Sequence, residues 1–171
     1  MLEMSSERKW NLLKDHANRI QQNTNNKTLL DSTSNNSSSG KIHNKPQYYV
    51  NTLKMEPSVE VLLNLKDSLS SQPSNWFIKF LELEGPSVLL DILADTERKP
   101  RKSDNDTKMQ DESIGCLRIV MNQKMGLESI LKIKHSIRKL TLVLDSPKIT
   151  TRIIVLELLA AICVISTEGH K

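Results

Sequence analysis

Glycine, cysteine and aromatic residues are all scarce in this chain: 171 residues contain five glycines and two cysteines, and aromatics make up 4%. So little glycine leaves no Gly-rich phosphate loop, and neither a G-x-S-x-G elbow nor an H-E-x-x-H run is present. The two cysteines, Cys116 and Cys163, lie far apart inside apolar helical patterns. They offer no disulfide framework and no metal-ligand spacing, and the expectation is two buried, reduced thiols in the cytosol. With few aromatics, Leu and Ile supply most of the apolar bulk, which favours helix-on-helix packing over a sheet sandwich. The histidines (His16, His43, His135 and His170) are scattered, none at ligand spacing to Cys, Asp or Glu. His135, beside Lys134, reads as a surface or helix-capping residue. Glu82 and Glu84 are two apart and point to different faces of a helix, so they form no acid–base pair. The chain therefore reads as non-enzymatic, without metal or cofactor. Its longest apolar stretch, Ile153 to Ile165, contains Glu157 and is too short to span a bilayer, so no transmembrane segment is expected. The opening MLEMSSERKW has no apolar run after its charges and shows no signal peptide.

What is present is unevenly distributed. The net charge is +4. Residues 8–54 carry eight bases against two acids, 55–97 two bases against eight acids, and 98–171 fourteen bases against eight acids. Such blocks suit docking to charged protein surfaces or simply mark solvated helix faces. They lack interleaved aromatics and a dense arginine run, which argues against nucleic acid. Residues 5–22 carry a modest apolar face (Trp10, Leu12, Leu13, Ile20) and read as a weak helix. Residues 23–44, rich in Ser and Asn, cannot repay their ordering entropy and read as a disordered insertion. Residues 96–111, charge-dominated around Pro100, read as an exposed loop.

Elsewhere the helical period is strong. Pro57 sits at a plausible first helical position, followed by Val59, Leu62, Leu63 and Leu69. Ser70-Ser71-Gln72-Pro73 ends that helix and starts one with Trp76, Phe77 and Phe80. Gly85-Pro86 precedes Val88, Leu89, Ile92 and Leu93. Beyond the expected loop come Ile114, Leu117, Val120 and Met121. Gly126 punctuates before Leu127, Ile130 and Leu131; Ile137, Leu140, Val143 and Leu144 follow, stopped by Asp145-Ser146-Pro147. A last helix from about Lys148 to Ile165 is apolar nearly all round and should be sandwiched by neighbours on several sides. Short helices punctuated by Gly and Pro in units of roughly 40 residues point to an all-α armadillo- or HEAT-like solenoid. Two units fit, about 73–121 and 126–165, with a plain helical bundle as the alternative.

Two features stand out from ordinary helix packing. Asn122-Gln123-Lys124 follows the apolar Val120-Met121. An asparagine there either caps the helix or hydrogen-bonds a docked peptide. Ala160-Ala161, flanked by Ile162, Val164 and Ile165, either permits close helix packing or opens a shallow groove for an amphipathic helix.

Three stretches in order carry a family resemblance. Pro57 to Leu93, with SLSSQPSNW and LLDIL, resembles the start of the regulatory region of diaphanous-related formins. CLRIVMNQKMGL (Cys116 to Leu127) resembles that family's C-L-K-x-x-M-N-N-K-x-G block. LDSPKITTRIIVLELLAAIC (Leu144 to Cys163) resembles its next armadillo helix, with Gly169-His170 in the turn beyond. The resemblance covers about residues 45–171. It implies a GTPase-binding and armadillo-like regulatory domain there, preceded by an N-terminal GTPase-binding helix at 1–22 and the insertion. It implies two partners: a GTP-loaded Rho-family GTPase and the formin's own C-terminal autoregulatory helix. Actin is reached only indirectly, in a cytoplasmic, cytoskeleton-associated setting. The turn Ser70-Ser71-Gln72, with Asn75, occupies the family's GTPase-contacting loop, without the asparagine run of some members. The groove positions for the autoregulatory helix would be Asn122, by hydrogen bonding, and Ala161, Val164 and Ile165, by apolar packing. The alternative is an armadillo-like interaction scaffold that needs no GTPase.

Overall fold

The computed structural model describes residues 45–165, with the side chain of Ile165 excepted; the expected helix at 5–22, the expected insertion at 23–44 and Gly169-His170 lie outside them. The described part is all helical and armadillo-like. Its elements are α1 (Pro46–Met55), α2 (Val59–Ser71), α3 (Ser74–Glu82), α4 (Gly85–Arg98), α5 (Asp104–Met121), α6 (Lys124–Lys132), α7 (Ser136–Thr141) running into a 3-10 turn (Leu142–Asp145), and α8 (Ile149–Ile165). Residues up to Leu159 belong to one compact unit; Ala160–Ile165 of α8 belong to a second. The helices α3–α5 and α6–α8 form two successive triplets, each ending in its longest member.

Local chemistry sets the boundaries. Pro46 opens α1 at a position where its missing N–H costs nothing. Ser58, rather than Pro57, starts α2: its hydroxyl accepts the Val61 N–H at 3.4 Å, so the helix begins at Val59. Leu62, Leu65 and Leu69 then face the core while Leu63 is 44% exposed. Tyr49 of α1 meets Trp76 of α3 edge-on at 5.9 Å, and Trp76 stacks on Phe80 at 5.7 Å. The Tyr49 hydroxyl pairs with Ser68 Oγ at 2.8 Å, which joins α1 to α2 as well. The ring of Phe80 lies directly over Gly85, where a Cβ would come within 2.3 Å of it.

Helix α4 is the most deeply buried element: Leu89, Leu90 and Leu93 are sealed, and Thr96 folds its hydroxyl onto the carbonyls of Ile92 and Leu93 at 2.9 Å. Helix α5 packs along both α2 and α4. The structure corrects the expected loop at 96–111. Only residues 99–103 are non-helical, and α5 starts at Asp104, seven residues before the expected loop would end. Ser103 and Asp106 form a reciprocal capping box. Lys99 reaches Asp106 at 2.5 Å, Lys102 reaches Glu97 at 2.6 Å, and Gln110 donates to Glu97 at 2.5 Å. Several of the charges that suggested a solvated loop, Glu97, Lys99, Lys102 and Asp106, are thus paired at the α4–α5 turn. Gly126 does not punctuate the chain but lies within α6. A Cβ there would stand 2.0 Å from the Val120 carbonyl oxygen, so α6 can cross the end of α5 only without a side chain at this point.

Asp111 of α5 accepts from Lys148 and Thr151 at the start of α8, and Arg118, two turns on, meets Glu157 at 3.3 Å. The two helices therefore run in the same direction. Helix α8 buries Thr151, Val155, Leu158 and Ile162. It is not sandwiched on all sides: Ile149, Ile153 and Leu156 are 63%, 49% and 55% exposed. Among the described residues, its neighbours cover one side only. Cys163 is likewise exposed, contrary to the expectation of two buried thiols. Cys116 is sealed, its Sγ donating to the Leu62 carbonyl at 3.5 Å, and burial pushes its thiol up to about 12.

Two outcomes follow from these contacts. Gly126→Ala is expected to destabilise the fold by on the order of 3 kcal/mol, because a backbone oxygen rather than a flexible side chain must give way; urea denaturation measures it. The Asp106 carboxyl is lowered from 3.8 to about 2, by its hydrogen bond from Lys99 first and then by those from Ser103, against the opposing effect of burial. A depressed folded-state value means that the carboxylate stabilises the fold above about 3.8 and that this contribution is lost as pH falls toward about 2. Comparing urea midpoints across that range, Asp106→Asn should flatten the dependence relative to the unaltered chain.

Candidate functional site

The residues singled out in the sequence fall on the α2–α3 turn, at the end of α5 and on the last turns of α8. Ser70 and Ser71 close α2 and are exposed; their hydroxyls donate to the carbonyls of Lys66 at 3.0 Å and Asp67 at 2.8 Å. Gln72, half-buried, ends the helix with its backbone N–H on Ser68 O at 2.9 Å. Gln72 and Pro73 are both extended, so the turn is a two-residue step with little freedom. Pro73 O then accepts from Trp76 and Phe77, which places Asn75 on the exposed first turn of α3. Beneath the turn lie the Tyr49–Ser68 bond and buried Leu69, Trp76 and Phe77. The result is a polar strip of hydroxyls and an amide on an aromatic base, suited to hydrogen-bonding a protein surface and lacking any group for acid–base chemistry.

The other positions are Asn122 at the end of α5, in the first unit, and Ala161, Val164 and Ile165 on α8, in the second. Asn122 caps α5 with its backbone N–H on Arg118 O at 3.1 Å and is half-buried. Its side-chain amide makes no hydrogen bond among the described residues, so the cap does not consume it. Asn122 lies one turn beyond Arg118, whose guanidinium meets Glu157 of α8 at 3.3 Å. Ala161 is half-buried and Val164 is 38% exposed, while Ile165 is the last residue of α8.

Sequence reasoning overlooked α1 altogether, although Pro46 followed by Tyr49, Val50 and Leu53 at helical spacing carries its signal. It also took α8 as uniformly apolar and so missed the open row Ile149, Ile153 and Leu156, whose i, i+4, i+7 spacing marks one face. Among the described residues no cluster of His, Cys, Asp and Glu could hold a metal ion, and no helix is long and apolar enough to cross a membrane.

Comparison with known proteins agrees with this architecture. The Diaphanous GTPase-binding Domain family profile matches residues 1–164. Formin-D of Dictyostelium discoideum is 41% identical over 128 residues, covering 75% of this chain and 10% of the relative. Formin-F of the same organism is 36% identical over 152 residues, covering 89% of this chain and 12% of the relative. Protein diaphanous homolog 2 of Mus musculus is 36% identical over 127 residues, covering 72% of this chain and 12% of the relative. The chain thus spans about a tenth of the length of these relatives. A match that runs through every described helix and nearly the whole sequence places this chain in the Diaphanous GTPase-binding Domain family, a GTPase-binding regulatory module of formins.

Proposed function

We propose that this chain binds a GTP-loaded Rho-family GTPase and the C-terminal autoregulatory helix of a formin, and so couples the GTPase to release of autoinhibition. The family match over residues 1–164 carries the reading. On this reading Ser70, Ser71, Gln72 and Asn75 contribute to the GTPase contact, together with residues N-terminal to α1. The autoregulatory helix lies against Asn122, Ala161, Val164 and Ile165. Asn122 supplies a hydrogen bond, supported by its unused amide. The α8 residues supply apolar packing, supported by the exposure of Val164. A partner amphipathic helix would gain hydrophobic burial along such a row, with the hydrogen bond fixing its register. The chain then acts by binding alone, without catalysis or cofactor. It reaches actin only through the formin it regulates, in the cytoplasm and at the cytoskeleton.

Capture of purified Rho and Rac, each loaded with GTP analogue or GDP, tests the first half. Retention of the GTP form in clear excess is expected. Equal retention of both forms would favour a scaffold independent of nucleotide state, and no retention would remove the GTPase assignment. Changing Ser70, Ser71 and Asn75 together to Asp is expected to weaken GTPase retention while leaving the autoregulatory peptide bound. For the second half, Ala161→Asp places an unpaired charge in an apolar contact and is expected to cost on the order of 3 kcal/mol of peptide affinity. Normal binding of the peptide to that variant in a fluorescence-polarisation titration would show that the groove lies elsewhere.

A further inference from the structure

An open depression of about 490 Å3 lies where α3, α4, α6 and α7 meet, and its lining includes no residue of the α2–α3 turn. Its polar lining consists of Ser87, Ser129, Lys132, Lys134, Lys139 and Glu84. Most of this lining has unspent hydrogen-bonding capacity. Serine and threonine hydroxyls on these helices usually fold back onto a preceding carbonyl, as Ser70, Ser71 and Thr96 do. Ser87 and Ser129 do not: both are half-buried, and neither hydroxyl makes a hydrogen bond among the described residues. The ammonium groups of Lys132 and Lys134 likewise have no ion-pair partner there. Lys139 is tied to Asp91 at 2.5 Å, which holds its side chain in place at 22% exposure. The one carboxylate on the wall is Glu84, on a residue whose φ of 59° is left-handed.

Two exposed lysines without an ion-pair partner and two hydroxyls without a hydrogen bond among the described residues thus line one cavity, with Glu84 as the single carboxylate beside them. A lone carboxylate has two oxygens to offer them; a phosphate offers more acceptors and more charge. A volume of about 490 Å3 exceeds what a single phosphate fills. Lysine suits this role because it meets phosphate as a point charge and needs no planar bidentate geometry.

We propose that this depression binds a small molecule bearing clustered phosphates, either free in solution or carried as a lipid headgroup, with Lys132 and Lys134 supplying charge and Ser87 and Ser129 supplying directed hydrogen bonds. Glu84 opposes the ligand and limits its affinity.

The test uses the full chain with two probes: inositol hexakisphosphate, followed by calorimetry, and phosphatidylcholine vesicles with and without phosphatidylinositol bisphosphate, followed by co-sedimentation. Saturable one-to-one binding of the first, or sedimentation that requires the phosphorylated lipid in the second, is expected. The arm that responds identifies the source of the phosphates. Lys132→Glu with Lys134→Glu should weaken binding about ten-fold or more. Ser87→Ala with Ser129→Ala should weaken it several-fold without altering charge, and Glu84→Gln should tighten it. Lys108→Glu, an exposed position on α5 outside the depression, should leave affinity unchanged. Absence of saturable binding to both probes would overturn the proposal. So would an equal loss from Lys108→Glu, since that is the signature of diffuse electrostatic attraction.

Discussion

The covering of α5 on two sides is the constraint on which the rest of this array depends. A helix flanked by one neighbour shows one apolar stripe, but α5 has to satisfy α2 and α4 together. It buries Ile114, Cys116, Leu117, Val120 and Met121 within two turns. It meets α2 through Cys116 on the Leu62 carbonyl and through the Lys66–Glu112 pair at 2.9 Å, and it meets α4 through Gln110 on Glu97. Its far end sets the approach of α6, since Val120 and Gly126 are in contact through the backbone. Its outer edge receives α8 at Asp111 and Arg118. Displacing α5 would therefore disturb four neighbours at once, which is how a short array of modest helices holds together.

The blocks of opposite charge along the chain have a meaning that composition could not convey. The acidic stretch 55–97 and the basic stretch beyond it fold against one another. Glu97 takes Lys102, and Asp91 takes Lys139. Part of what reads as a surface for charged partners is therefore spent inside the domain, as struts between helices. Each strut is partly exposed, so each adds little to stability by itself and more to the alignment of neighbouring helices.

Much of the array was legible in the sequence for a definite reason. Where one apolar face repeats at helical spacing between strong breakers, as in α2, α3, α4 and the run from Ile137 to Asp145, periodicity and punctuation agree. The α4–α5 turn was misread because its charges were counted as solvated. Their partners are close in space and, for Gln110 and Glu97, thirteen residues apart in sequence. Gly126 was misread because a glycine that permits close approach looks in sequence like one that ends a helix. The site residues divide similarly. The motif order pointed to the Ser70–Asn75 turn, and the structure shows that turn on the surface. The sequence left open whether Asn122 spends its amide on capping, because that depends on where the last turn of α5 leaves the side chain.

The two thiols differ in a way that matters at the bench. Cys116 is shut within the α2–α5 contact and holds its proton through the alkaline range, whereas Cys163 stands open on α8. A maleimide dye added to the folded chain would thus attach at one address, two residues beyond Ala161, with no engineered cysteine needed.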